Sequence, residues 1–398
     1  MNNAFRRLSQ SALRGRDPIR AQSTAVTSRP GLILLHKGDP CFATPAPVIR
    51  AATEAIEQGF THYPPPVGDR QLREALAEQI SQRAARRYTS DEILITVGAT
   101  EALYDILTAY LGPGDQALLF DPSYSLYAPI IRQVGAEPIF VPMGKNFRVD
   151  KEQLRQAVTP QTRMLICNSP ANPTGIVFSS AELDAIAEVA VEADLLVVAD
   201  EVYDHLIFGN TIFTSTIEHP DLVERTLYVN SFSKTYAMTG WRIGYIAAPQ
   251  ALIDGPMTIH LNCVNSVHWP TQRAALAALA CSHAEVREMV EGYDVRRRLL
   301  LNGLLSIPGL TVIEPQGAFY IFARFTDTFS LTSAEVAGWL LEGGVAIRSG
   351  SEYGRAGEGY LRITFAADLP DIEEGIRRIS HVFSAFSNEL GTKNWEQK

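Results

Sequence analysis

Lys234 stands in Ser231-Phe232-Ser233-Lys234, a segment that runs on to Gly240-Trp241-Arg242 and so brings an amine, hydroxyls and a guanidinium into one short stretch. That set suits an aldehyde cofactor carrying a phosphate. The lysine can form a Schiff base with the aldehyde of pyridoxal phosphate, while Ser231 and Arg242 hold the anionic end through charge-assisted hydrogen bonds. Taken alone, the tetrapeptide is equally a surface lysine beside an apolar strand. Other parts of the chain call for the same cofactor.

Asp200 closes the apolar run Leu195-Leu196-Val197-Val198-Ala199 and is followed by Glu201-Val202-Tyr203. An acid at the end of a buried strand is costly unless it is paired. The protonated pyridine nitrogen of pyridoxal phosphate is such a partner, and a carboxylate there keeps the ring able to accept electrons. A helix N-cap is the plainer use of Asp200, but it leaves Tyr203, Asn172 and Lys234 unexplained. Gly98-Ala99-Thr100 lies between an apolar strand and a helix start, where backbone N–H groups and the Thr100 hydroxyl can receive a phosphate; a tight turn is the alternative. Asn168-Ser169-Pro170-Ala171-Asn172-Pro173-Thr174-Gly175 is an irregular loop able to present Asn172 rigidly, or a structural turn.

The elements that must position these residues follow from the hydrophobic pattern. After about residue 90, short apolar runs alternate with longer amphipathic stretches, as in parallel strands joined by crossover helices. Strands are expected at Ile93 to Val97, Ala117 to Phe120, Pro138 to Val141, Met164 to Asn168, Leu195 to Ala199, Thr226 to Val229 and Ile243 to Ala247. Helices are expected from Gly98 to about Leu111 and around 124–134, 151–158 and 180–193. The rhythm changes near residue 290, with strands near 310–313, 318–323 and 360–365 and helices around Arg296-Arg297-Arg298, near 333–342 and from Pro370. The pattern predicts an α/β fold: residues 1–45 as an N-terminal arm and part of a small domain, 46–289 as a large domain, and 290–398 as a smaller α+β domain. The polar residues above fall at strand ends, where ligands bind in open α/β sheets.

Composition narrows the classes. The 398 residues are 46% hydrophobic, enough for a large core, and the net charge of −9 argues against a general nucleic-acid surface. No apolar run approaches the roughly 20 residues that span a bilayer. Cys41, Cys167, Cys263 and Cys281 lack paired metal spacing, so no metal is expected, and reduced thiols in the cytoplasm are the default. Residues 1–30 are rich in Arg and Ser and nearly free of acids, a composition shared with targeting segments; a structured or flexible arm is the preferred reading.

The order of motifs, Tyr63 with Gly68, Gly98-Ala99-Thr100, Tyr124, Asn172-Pro173-Thr174-Gly175, Asp200 with Tyr203, Ser231-x-Ser233-Lys234, Arg242 and Arg362, closely resembles the fold-type I pyridoxal-phosphate enzymes, specifically the class I/II aminotransferases. The resemblance covers nearly the whole length. It implies a large domain with a mostly parallel mixed sheet between helices, a smaller α+β domain, and a homodimer with shared active sites. It also implies that Lys234 forms the internal aldimine and then moves a proton between the substrate Cα and the cofactor. Asp200 pairs with the pyridine nitrogen, and Asn172 and Tyr203 bond the ring oxygen. Tyr124 stacks on the ring, unless it is a core aromatic. Ala99, Thr100, Ser231, Ser233 and Arg242 surround the phosphate, with Tyr63 reaching it from the other subunit. Arg362 clamps the substrate α-carboxylate, an exposed strand arginine being the alternative; Gly38 lets that carboxylate approach the backbone, or only makes a turn.

The implied activity is transfer of the amino group of an L-amino acid to a 2-oxo acid. The same scaffold also supports β-elimination, decarboxylation or oxidation by O2. A regulator that senses the cofactor is a further reading, opposed by the lack of a basic N-terminal winged-helix module, and a nicotinamide dehydrogenase lacks its G-x-G-x-x-G. Two departures stand out. His36-Lys37 precedes Gly38 where the family more often has small or apolar residues, so His36 either meets the substrate side chain or faces solvent. Arg348-Ser349-Gly350-Ser351 replaces a commoner Pro-Gly-Ser turn, so Arg348 either reads a distal acid or pairs at the surface.

Overall fold

Runs in which every residue is apolar, such as Ile93-Leu94-Ile95 and Val197-Val198-Ala199, are what a strand covered on both faces requires, and both runs are fully buried. The computed structural model describes residues 8–16, 29–281, 283–325 and 331–393. In chain order its strands are β1 (Ile33–Leu34), β2 (Ile93–Thr96), β3 (Gln116–Asp121), β4 (Glu137–Pro142), β5 (Thr162–Asn168), β6 (Leu196–Asp200), β7 (Thr226–Ser231), β8 (Gly244–Ala247), β9 (Leu310–Val312), β10 (Tyr320–Phe325), β11 (Val345–Ala346), β12 (Arg348–Ser349) and β13 (Tyr360–Thr364).

Seven strands form one sheet in the order β2-β8-β7-β6-β5-β3-β4. All its pairs are parallel except those of β8, which is antiparallel to both β2 and β7. The reason is local. Between β7 and β8 lie only the helix Phe232–Thr235 and the turn Thr239–Trp241, too little chain to cross the sheet, so the chain must return antiparallel. The expected strands all appear, shifted at their ends by a residue or two. Crossover helices Gly98–Tyr110, Tyr127–Gln133, Lys151–Gln156 and Ser180–Glu192 cover the faces, the last opened by a capping box in which Ser179 and Glu182 bond each other's backbone N–H.

Four further helices, Ala46–Glu57, Arg70–Ser81, Gln250–Cys263 and Trp269–Ala280, lie where the pattern reading places no element. Arg70–Ser81 carried a legible signal, with the N-cap Asp69 followed by buried Leu72, Leu76, Ala77 and Ile80 on one face. Gln250–Cys263 contains Pro256, which reads as a breaker.

The remaining strands make a four-stranded antiparallel sheet, β12-β13-β10-β9, and the parallel pair β1-β11. Helix His283–Leu305 runs unbroken through residue 290 and, with Leu369–Lys393, buries Tyr293, Leu300, Leu304, Ile372 and Ile379 in one core with Phe319, Ile321, Leu361 and Ile363. Of the first 30 residues, 8–16, 29 and 30 are described. Helix Gln10–Arg14 packs on this chain's own Tyr127–Gln133, where the Ser11 hydroxyl donates to the Gln133 carbonyl at 3.0 Å. Among the described residues no helix is long and apolar enough to cross a membrane.

Ile106 is fully buried between helix Gly98–Tyr110 and the large sheet. Ile106→Ala is expected to destabilise the fold by about 2–5 kcal/mol, seen as a lower urea midpoint by far-UV circular dichroism.

Candidate active site

The C-terminal edges of β5, β6 and β7 open onto a cavity of about 580 Å³ between the large and small sheets. Its wall contains His36, Gly38, Ala99, Thr100, Tyr124, Asn172, Asp200, Tyr203, Ser231, Ser233, Lys234, Arg242 and Arg362, with Lys37 and Arg348 beside them, so these residues singled out by the sequence come together. Tyr63 does not. It is 86% exposed and lies outside this wall.

Lys234 is carried by the single turn Phe232–Thr235 after β7, with the Ser231 hydroxyl capping the turn by accepting from the Ser233 N–H at 3.4 Å. Its Nζ donates to the Gly38 carbonyl at 2.5 Å. Burial, aided by the positive charges of Arg362 and Arg242, pushes its amine down to about 8 against the pull of Asp39. A lysine so placed is partly neutral, hence nucleophilic, near physiological pH. Gly38 is required for a reason the sequence did not show: a Cβ there would lie 1.9 Å from the Tyr320 hydroxyl. Its contacts are therefore with Tyr320 and Lys234.

Asp200 ends β6 and is followed by turns, so it caps no helix. The Tyr127 hydroxyl donates to Oδ2 at 2.6 Å, while Oδ1 is buried with no hydrogen-bond partner among the described residues. Burial pushes the carboxyl up to about 6, and the Tyr127 bond opposes it. The open oxygen calls for a donor. Asn168, directly opposite on β5, ties the neighbouring backbone together: its Nδ2 donates to the Asp200 carbonyl at 2.9 Å and its Oδ1 accepts from the Asn172 N–H at 2.8 Å.

Asn172 Oδ1 accepts from Arg362 Nη1 at 3.0 Å, and the His36 carbonyl accepts from Nη2 at 2.8 Å. The guanidinium lies 4.1 Å from the Tyr320 ring centroid and 5.0 Å from that of Tyr353, and its Nε is buried with no hydrogen-bond partner among the described residues. Arg362 is thus a buried, rigidly held cation and not an exposed strand residue. The Tyr203 hydroxyl meets that of Tyr320 at 3.0 Å. Tyr124 is half-buried and packs edge-on against Tyr127, their centroids 5.4 Å apart.

At the opposite wall, helix Gly98–Tyr110 begins directly beside Arg242. Gly98 has φ +75°, a conformation that strains any residue with a Cβ, and a Cβ there would come within 2.7 Å of Arg242 Nη2 and push the guanidinium from its present place at the helix start. Arg242 Nη1 donates to the Thr239 carbonyl at 2.9 Å. The N–H groups of the first helical turn, which have no intrahelical acceptor, the exposed Thr100 and Arg242 are chemically suited to a phosphate.

These parts fit pyridoxal phosphate: an amine for the aldehyde, an open carboxylate oxygen for a ring N–H, and a helix start for the phosphate. Tyr127, Tyr320 and Asn168 were missed by the sequence reading. Tyr127 follows Tyr124 by three residues within a helical stretch, which was its only available signal; Tyr320 reads as one more apolar strand residue.

A seven-stranded mixed sheet bearing the lysine turn after β7, with a smaller antiparallel sheet closing over it, defines a fold-type I pyridoxal-phosphate enzyme. Residues 30–379 match the family described as "Aminotransferase class I and II". The chain belongs to this family, whose members transfer amino groups with pyridoxal phosphate. It is 40% identical to an aspartate aminotransferase of Pyrococcus abyssi, over 88% of this chain and 91% of that one. It is 37% identical to aromatic-amino-acid aminotransferase 2 of Thermococcus litoralis, over 88% and 92%. The crystal structure of an aromatic aminotransferase from Pyrococcus horikoshii superposes with a TM-score of 0.87 at 37% identity, covering 93% of this chain and 99% of that one.

Removing the Tyr127 hydroxyl deprives Asp200 of its side-chain donor. Tyr127→Phe is expected to lower kcat/KM by about tenfold or more, the worth of a hydrogen bond to a charged group, with far-UV circular dichroism unchanged.

Proposed function

We propose that this chain moves the amino group of an L-amino acid to a 2-oxo acid with pyridoxal phosphate held in the cavity at Lys234. One observation carries the reading: the lowered amine of Lys234 and the open oxygen of Asp200 face the same cavity, bounded by the helix start at Ala99-Thr100 and by Arg362. When bound, pyridoxal phosphate supplies an aldehyde that takes up the donor nitrogen and a ring that accepts the electrons released at the donor Cα.

The chain's own residues divide the remaining work. Lys234 Nζ holds the cofactor between turnovers and then acts as the base that takes the Cα proton. Asp200 Oδ1 would accept from the ring N–H, and its negative charge would keep that proton in place. Asn172 and Tyr203 would bond the ring oxygen, and Tyr124 would stack on the ring. The N–H groups of Ala99 and Thr100, with Ser231, Ser233 and Arg242, bind the phosphate. Arg362, already oriented by Asn172 and the His36 carbonyl, takes the α-carboxylate, next to Gly38. His36 stands toward the substrate side chain.

We further propose a homodimer in which Tyr63 of one subunit reaches the phosphate of the other. Its 86% exposure, and that of Ile49 and Ile56 at 47% and 53%, support a covered face. The four cysteines, all free, suit the reducing cytoplasm. We assign residues 46–289 to the cofactor-binding domain and 290–398, with the segment before residue 46, to the smaller one.

Lys234→Ala is expected to lower turnover by at least ~10³-fold and to remove the visible absorption of the lysine-bound cofactor, checked by spectrum and by a panel of amino donors and 2-oxo acceptors. Ammonia release, CO2 loss or O2 consumption without an acceptor would replace amino transfer with another outcome. Only the neutral amine attacks the aldehyde, so capture of pyridoxal phosphate by the apoenzyme is expected to speed up as pH rises through about 8 and to level off above it. Stopped-flow absorbance measures this, and a pH-independent rate would exclude Lys234 as the titrating group.

A further inference from the structure

Arg348 and Arg362 are direct partners across the antiparallel pair β12-β13. Residues so paired leave the same face of the sheet with Cβ atoms about 4.5–5.5 Å apart, and both side chains line the cavity. Like charges placed opposite each other destabilise a sheet unless each is countered. The two arginines are countered differently. Arg362 is held by neutral acceptors, Asn172 Oδ1 and the His36 carbonyl. Arg348 Nη1 instead meets a carboxylate, Glu352 Oε2, at 3.2 Å, with the two side chains 18% and 6% exposed. The cavity wall therefore contains an internal carboxylate docked on its second arginine.

Two guanidinium groups set side by side match two carboxylates joined by a short carbon chain. We propose that Arg348 reads the distal carboxylate of a dicarboxylic amino acid or 2-oxo acid whose α-carboxylate lies on Arg362, and that Glu352 occupies Arg348 when the substrate lacks that group. Exchanging one carboxylate for another keeps the Arg348 guanidinium paired throughout, and the cost of the exchange falls on the displaced Glu352. His36 contributes no competing charge: burial, reinforced by Arg348 and Lys37, pushes its imidazole down to about 4, and its buried Nδ1 has no hydrogen-bond partner among the described residues. The subsite rests on the amino-transfer reading for its substrate class, since it names the side chain that reading leaves open.

The test compares kcat/KM for L-aspartate and L-glutamate with kcat/KM for L-alanine and L-phenylalanine. Arg348→Gln is expected to lower the ratio of acidic to neutral donors by about tenfold or more, and Glu352→Gln, which keeps the shape but removes the internal carboxylate, to raise it. Calorimetric binding of succinate to the holoenzyme should weaken in Arg348→Gln and strengthen in Glu352→Gln, with no turnover required. A ratio and a succinate affinity that Arg348→Gln leaves unchanged would overturn the proposal, as would a Glu352→Gln variant that loses acidic donors. Succinate binding that depends on Arg348 in an enzyme that transfers no amino group would instead sink the amino-transfer reading and leave the subsite standing.

Discussion

A carboxylate at the buried end of β6 is the constraint around which the site is arranged. Asp200 is 3% exposed, and a charge so placed is tolerated only where hydrogen bonds replace water. The fold supplies a side-chain donor to one oxygen, from Tyr127, and leaves the other buried with no hydrogen-bond partner among the described residues. The half-satisfied acid explains its neighbours. Asn168 clasps the Asp200 backbone to the Asn172 loop, and Tyr127 packs edge-on against Tyr124, so these cavity-wall residues are all referred to the same strand end.

Arg362 extends that arrangement across the molecule. It belongs to β13 of the small sheet, yet it bonds Asn172 on the large-sheet side and the His36 carbonyl in the segment after β1. Three segments distant in the chain thus meet on one planar cation, whose forked donors set their relative positions. The same neighbourhood brings Gly38 against the Lys234 amine and the Tyr320 hydroxyl, so closing the small sheet over the large one also sets the environment that lowers the lysine. Geometry and reactivity have a common origin here.

Much of this was legible in the chain. Fully buried strands require unbroken apolar runs, so the strands carrying Asp200 and Ser231 could be located to within a residue or two. A helix start after Gly98 follows from its strand-to-helix turn. Strand direction was not legible in the same way, because an apolar run reads alike in either sense; β8 turned antiparallel on account of its short link. Pro256 masks one helix, whereas Arg70–Ser81 has a legible pattern in its N-cap Asp69 and its buried face.

The sequence by itself determined the reacting groups and their order, since an amine, an acid, an amide and two arginines are side-chain types whose chemistry does not depend on folding. It also determined that the acid and the amine would lie at or just beyond strand ends. Only the tertiary structure decided their states and partners: that Lys234 loses water and so loses part of its affinity for a proton, that Asp200 leans on Tyr127, that Arg348 stands opposite Arg362 with Glu352 upon it. Those are matters of burial and distance between residues far apart in the chain, and electrostatic energy depends on both.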